Sequence, residues 1–276
     1  RNAVNRTVNA VAQGRNRLLL VMATGTGKTY TAFQIVYRLL LSRLVKKVLY
    51  LADRNVLVDQ SIQQDFKPLS NTIHKVDYQK DIATHGGHLA YEVYFSLYQQ
   101  LIGKEGKQNY KELFKPEFFD MVIVDECHRG SAKDDSNWRE ILEYFSGAIQ
   151  LGMTATPKET KYQSSISYFG EPVYTYSLRE SIEDGFFAPF KVVNVTTNIG
   201  DEWRPVKGQR DIHGNLIEDR IYNNSDYDYN IIIEDRIREV AHEITQYLKS
   251  TDRMAKTIVF CADEDHADRM RTALVN

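Results

Sequence analysis

Seven consecutive residues, Ala23-Thr24-Gly25-Thr26-Gly27-Lys28-Thr29, combine small side chains, two glycines, one cation and a terminal hydroxyl. Glycine backbone can bend until N–H groups close around an anion. A lysine then neutralises the charge, and a hydroxyl can reach a divalent cation. This is the make-up of a phosphate-binding loop. The first glycine of the common form of that loop falls at Met22, which leaves Gly25 and Gly27 to supply the turn. Further along, Asp125-Glu126-Cys127-His128 follows the apolar run Met121-Val122-Ile123-Val124. A carboxylate at the end of a buried strand can hold the same cation through water, and its neighbour can orient and deprotonate an attacking water. The two stretches together imply ATP and Mg²⁺ as ligands. Thr24, Gly25, Thr26, Gly27, Lys28 and Thr29 are the candidate ATP-binding residues. Lys28, Asp125 and Glu126 are the candidate catalytic residues, and Thr29 and Asp125 the candidate metal ligands.

These groups converge only if the segments around them form the right elements. Leu18–Met22 reads as a strand leading into the loop, and Ala32, Ile35, Val36, Leu39 and Leu40 make a helical apolar stripe behind it. Residues 3–12 read as a helix with Val4, Thr7, Val8, Val11 and Ala12 on one face and Gly14 as its stop. Further strands are expected at Val48–Leu51, Tyr91–Phe95, Met121–Asp125 and Ile149–Met153. Apolar strands separated by helices predict a parallel sheet covered on both faces. Ligand sites in such sheets lie beyond the carboxyl ends of the strands, where Lys28, Asp125 and Thr154 all fall. After Pro157 the pattern changes. Leu178–Asp184 reads as a short helix, Lys191–Thr197 as a strand, and His213-Gly214-Asn215 as a hairpin turn in a polar stretch. Ile231–Leu248 then reads as a long helix, Thr257–Cys261 as a buried strand and Asp265–Leu274 as a last helix. The expected division is a first α/β domain over residues 1–188 and the beginning of a second over 189–276.

Composition is that of an ordinary water-soluble protein: 276 residues, 42% hydrophobic and 26% charged, with a net charge of −2. No apolar run is long enough to span a membrane. Two cysteines, Cys127 and Cys261, lie outside any paired spacing and are expected as reduced thiols in a cytoplasmic protein. With no global positive charge, any nucleic-acid contact must come from a local surface. His85-Gly86-Gly87-His88 has nothing nearby to complete a zinc site.

Five motifs in order resemble those of superfamily 2 helicase or translocase motors. They are the phosphate loop; Leu51-Ala52-Asp53-Arg54-Asn55-Val56-Leu57-Val58-Asp59-Gln60; Asp125-Glu126-Cys127-His128; Gly152-Met153-Thr154-Ala155-Thr156-Pro157; and Thr257-Ile258-Val259-Phe260-Cys261-Ala262. Within that superfamily the chain is most similar to the restriction (motor) subunit of type I restriction–modification enzymes. Val173-Tyr174-Thr175-Tyr176-Ser177-Leu178-Arg179-Glu180, Glu183-Asp184-Gly185-Phe186 and the polar 200–225 region carry that likeness. The resemblance implies RecA-like lobes and an ATP-driven double-stranded DNA translocase working with modification and specificity subunits. It also implies a nuclease domain and an adenine-contacting segment before Arg1, and an arginine-bearing motif after Asn276. His128, Thr154 and Thr156 would couple ATP state to the DNA site. Arg54, Asn55 and Gln60, then Ser96, Tyr98 and Gln99, would contact DNA through phosphate and sugar. Other motors of the superfamily, or a nucleotide-dependent binding module that does not move, are the alternatives. The presence of Lys28, Asp125 and Glu126 weighs against the last.

Overall fold

The computed structural model describes residues 1–52, 55–84, 86–103, 107–127, 132–155, 159–160, 163–195, 202–210, 216–223 and 234–275. The chain divides into two compact units, Arg1–Pro189 and Phe190–Asn276.

The first unit alternates strands and helices. In order they are α1 (Asn2–Ala12), β1 (Arg17–Met22), α2 (Lys28–Leu41), β2 (Val48–Ala52), α3 (Asn55–Gln63), β3 (Ile73–Lys75), α4 (Tyr78–Ala83), β4 (Val93–Leu97), α5 (Tyr98–Ile102), α6 (Asn109–Leu113), β5 (Met121–Val124), α7 (Ala132–Tyr144) and β6 (Ile149–Thr154). A small antiparallel pair, β7 (Glu159–Thr160) and β8 (Gln163–Ser164), precedes α8 (Ser165–Phe169), β9 (Tyr174–Tyr176) and α9 (Leu178–Glu183). The main sheet has seven strands in the order β3-β4-β2-β5-β6-β1-β9, every neighbouring pair parallel.

Strand parity sorts side chains between the two faces. Leu18, Leu20 and Met22 of β1, Val48, Tyr50 and Ala52 of β2, and Met121 and Ile123 of β5 pack with α1 and α2. The alternate residues Leu19 and Val21, Leu49 and Leu51, and Val122 and Val124 pack on the other face with Leu101, Tyr110, Trp138 and Phe145. Burial on both faces explains why these strands read as continuous apolar runs. At about 1.5–3 kcal/mol per fully buried large apolar side chain, two such layers dominate the unit's cohesion.

Strand limits differ at β4, expected over Tyr91–Phe95 and found over Val93–Leu97. In the first helix Ala12 is exposed, and Ala3 and Ala10 share the buried face instead. Two strands of the main sheet carry no sequence expectation, β3 and β9. Both are three residues long and sit at the sheet's edges, where partial burial leaves little apolar pattern.

In the second unit, β10 (Glu202–Trp203) pairs antiparallel with β11 (Tyr222–Asn223), and Arg210 bridges to Leu216. The turn expected at His213-Gly214-Asn215 lies outside the described residues. α10 (Glu234–Ser250) and α11 (Glu264–Val275) pack through Ile237, Ala241 and Met270. The strands expected at Lys191–Thr197 and Thr257–Cys261 are not formed among the described residues. Val192, Val195, Ile258 and Phe260 are exposed. A strand exists through its ladder of hydrogen bonds, and an apolar β-prone run without a paired neighbour has none.

Candidate nucleotide-binding site

The site is built at the carboxyl edge of the main sheet. β1 ends at Met22, and the chain turns through Ala23–Gly27 into α2. Gly25 and Gly27 sit at φ +83° and +84°, the left-handed region that glycine enters without steric cost. Gly25 also lies against Phe187, since a Cβ there would come within 3.0 Å of the ring. The loop is tied to its own start by Thr26, whose N–H and hydroxyl both donate to the Ala23 carbonyl, and to the sheet by Ala23 N–H donating to Tyr176 O at 3.0 Å. Gly27 caps α2, so the first N–H groups of a 14-residue helix point toward the loop. Those groups have no intrahelical acceptor, and the helix dipole adds positive potential there.

Lys28 is the first residue of that helix and is buried, 8% exposed. Its ammonium lies 3.0 Å from Glu126 Oε1 and donates to Met22 O at 3.4 Å. Glu126 is itself in the left-handed region, φ +51°, an uncommon conformation for a non-glycine residue and one that recurs at functional turns.

Asp125 follows β5 directly. Its N–H donates to Leu51 O at 2.9 Å, which continues the β2–β5 ladder by one residue. Oδ1 accepts from Glu126 N–H at 2.9 Å, and Oδ2 accepts from the Tyr50 hydroxyl at 2.7 Å. Burial pushes the Asp125 carboxyl up to about 6, assisted by the Glu126 charge and opposed by the Tyr50 hydrogen bond and the Lys28 charge. The Tyr50 hydroxyl is held well above its ordinary range, first by burial and then by the Asp125 charge.

β6 lies between β5 and β1 in the sheet, so the loops after β5 and β1 flank the end of β6. Thr154, the last residue of β6, is fully buried and in register with Val21. Cys127 N–H donates to Met153 O at 3.0 Å and joins the acidic turn to β6. Gly152 has no room for a side chain: a Cβ there would sit 2.6 Å from the Phe169 ring.

The sequence candidates thus fall into three groups. Gly25, Gly27, Lys28, Thr29, Asp125, Glu126 and Thr154 occupy one edge of one sheet, with Thr24 and Thr26 in the same loop. His128, Thr156 and Arg54 lie outside the described residues. Asn55, Gln60 and Gln99 are exposed on α3 and α5, on the surface beyond β2 and β4. Ser96 and Tyr98 correct the expected DNA-contact set. Both are buried, and the Ser96 hydroxyl donates to the Leu97 carbonyl, so neither offers a side-chain surface to a nucleic-acid backbone. Ser96 lies on β4, which is covered on both faces; in Tyr98 the α5 face packs onto the core. Tyr50 and Phe187 are absent from the sequence candidates. The one available signal for Tyr50 is a tyrosine inside an otherwise aliphatic run, Val48-Leu49-Tyr50-Leu51-Ala52.

Among the described residues the site fits a nucleoside triphosphate with Mg²⁺. A helix terminus and glycine loop offer N–H donors to phosphate, and a buried lysine stands beside them. Asp125 is a buried carboxylate whose charge is under-compensated by its surroundings, as its raised pKa shows, and a divalent cation would supply that compensation.

An all-parallel sheet with this loop and acidic turn defines a RecA-like, helicase-type nucleotide-binding fold. The chain belongs to the family described as type III restriction enzyme, res subunit, whose model matches residues 1–159. It is homologous to type I restriction enzyme endonuclease subunits. The EcoAI endonuclease subunit of Escherichia coli is 56% identical over 275 residues, 99% of this chain and 33% of that protein. A solved fragment assigned as the HsdR subunit of a type I restriction enzyme from Vibrio vulnificus YJ016 superposes with a TM-score of 0.70 at 39% identity. That match covers 99% of this chain and 43% of the other. The Hef helicase domain of Pyrococcus furiosus shares the fold, with a TM-score of 0.52 at 16% identity over 99% of this chain and 53% of that one. The chain therefore spans about a third of the length of the EcoAI relative.

Proposed function

We propose that this chain is the ATP-hydrolysing part of a double-stranded DNA translocase, in the motor subunit of a cytoplasmic type I restriction enzyme. In this reading Phe190–Asn276 begins the second RecA-like lobe, and the modification and specificity subunits are its partners. The observation that carries the reading is the convergence of Lys28, Thr29, Asp125 and Glu126 at the ends of β1 and β5, on either side of β6, in a chain homologous to restriction endonuclease subunits.

The residues divide the work as follows. Backbone N–H groups of the 25–29 loop and the α2 terminus bind the β- and γ-phosphates. Lys28, held by Glu126 at 3.0 Å, turns its ammonium to those phosphates and neutralises the charge that grows as the terminal phosphoryl group departs. Once Lys28 has turned to the phosphates, the Glu126 carboxylate would orient a water and take its proton. Thr29 and Asp125 would hold Mg²⁺, which when bound offsets phosphate charge. Thr154, at the end of β6 between the two loops, would pass nucleotide state toward the DNA-binding surface. Asn55 and Gln60 on α3 and Gln99 on α5 would meet DNA through its backbone, independent of sequence.

The deciding experiment is ATPase turnover of the whole protein with duplex DNA, RNA and no nucleic acid, for the native protein and Lys28→Ala. Duplex-stimulated turnover that Lys28→Ala reduces by several powers of ten is expected. Duplex-independent turnover, or near-native turnover in the variant, would refute the reading. Affinity for unrelated duplexes should be equal and should fall linearly on a log–log plot against salt.

A further inference from the structure

We propose that Tyr50 is a positioning residue of this site: its hydroxyl holds the carboxylate of Asp125, a group expected to bind the cation, in a fixed orientation. The inference rests on the nucleotide reading above and adds a residue to it.

Strand register places Tyr50 there. Tyr50 of β2 is opposite Ile123 of β5, and Asp125 lies two residues beyond Ile123, on the same face of the sheet. The phenol therefore reaches forward beneath the acidic turn. It donates to Asp125 Oδ2 at 2.7 Å. With Oδ1 held by Glu126 N–H, both carboxylate oxygens are fixed from the protein side, and their remaining lone pairs are left for a ligand.

The ring has little freedom to move. It is 1% exposed, stacked on Phe95 at 4.8 Å and met edge-on by Phe66 at 5.8 Å. Phe66 in turn contacts Phe33, one helical turn after Thr29 on α2. One aromatic cluster thus ties together the strand bearing Tyr50, the strand β4 and the helix that opens at the phosphate loop. A phenylalanine would fill this space equally well. A phenol adds a polar atom that costs free energy to bury unless it is bonded, and here its bond leads to the Asp125 carboxylate.

The test uses the whole protein and Tyr50→Phe. Binding of a fluorescent ATP analogue is titrated with Mg²⁺ and, separately, measured in EDTA; melting of the nucleotide-free protein is followed alongside. The expected result is that Tyr50→Phe raises the Mg²⁺ concentration for half-maximal binding about tenfold, the scale of one hydrogen bond to a charged group. Affinity in EDTA should stay within about twofold, since a phosphate contact is not touched. In an Asp125→Asn background, Tyr50→Phe should change the Mg²⁺ requirement no further, because it acts through that carboxylate. An unchanged Mg²⁺ requirement in Tyr50→Phe overturns the proposal. So does a lowered melting temperature with the Mg²⁺ requirement intact, which would make Tyr50 a packing residue only. Native protein that binds the analogue with no Mg²⁺ dependence would instead bring down the nucleotide–cation reading, and the Tyr50 proposal with it.

Discussion

Replacing Asp125 with asparagine should stabilise the metal-free protein at neutral pH while disabling the site. Burial raises the Asp125 carboxyl from the ordinary 3.8 to about 6. A displacement of that size corresponds to about 3 kcal/mol of preference for the protonated form. The sign follows from linkage. Below pH 3.8 the group is protonated in both states, and the folded protein bears no cost. Between 3.8 and about 6 the unfolded chain ionises first, so stability falls as pH rises. Above that window the folded state carries the whole penalty, about 3 kcal/mol. The neutral amide of the variant bears none of it. That amide can still accept one of the two hydrogen bonds that Tyr50 and Glu126 N–H now give, and Lys28 keeps Glu126 as its partner at 3.0 Å. Urea unfolding in EDTA, at about pH 4.5 and about pH 7.5, measures this directly. Asp125→Asn should gain about 1–3 kcal/mol over the native protein at the higher pH and much less at the lower. Saturating Mg²⁺ and ATP should reverse the order, because only the native site binds the cation well. A variant less stable than the native protein at the higher pH in EDTA, or stability differences equal at both pH values, would refute the account of Asp125 as a strained, under-compensated charge.

Two further outcomes are expected. Glu126→Gln should retain ATP and Mg²⁺ binding but lose about 10²–10⁴ in turnover, as for a removed general base; an equal collapse of nucleotide affinity would show that Glu126 has a structural or metal-binding role. Gly152→Ala should destabilise the first unit by about 1–3 kcal/mol, because its Cβ would meet the Phe169 ring at 2.6 Å. A second change, Phe169→Leu, should recover part of that loss, and additive losses in the double variant would show that the two residues do not share the space.

What the sequence determined alone was local. The phosphate loop is seven consecutive residues, and its glycines, lysine and threonine act through backbone angles and a helix terminus that are set within a few positions. The acidic pair is legible for the same reason: an apolar run that ends in Asp125-Glu126 marks a buried strand and its exit. The same runs, apolar without alternation, announce a parallel sheet buried on both faces. Tertiary structure decided what depends on register between distant segments. Only the pairing of β2 with β5 brings Tyr50 beneath Asp125, and only the aromatic cluster keeps it there. Only the return of α8 against β6 explains why position 152 must be glycine. The covering of β4 on both faces buries Ser96, which motif order alone assigns to DNA. In the second unit, residues 257–261 and 191–195 have the composition of strands but form none. Propensity there is a preference for a pleated, paired surface, and whether a partner lies alongside is a property of the folded chain and not of the segment.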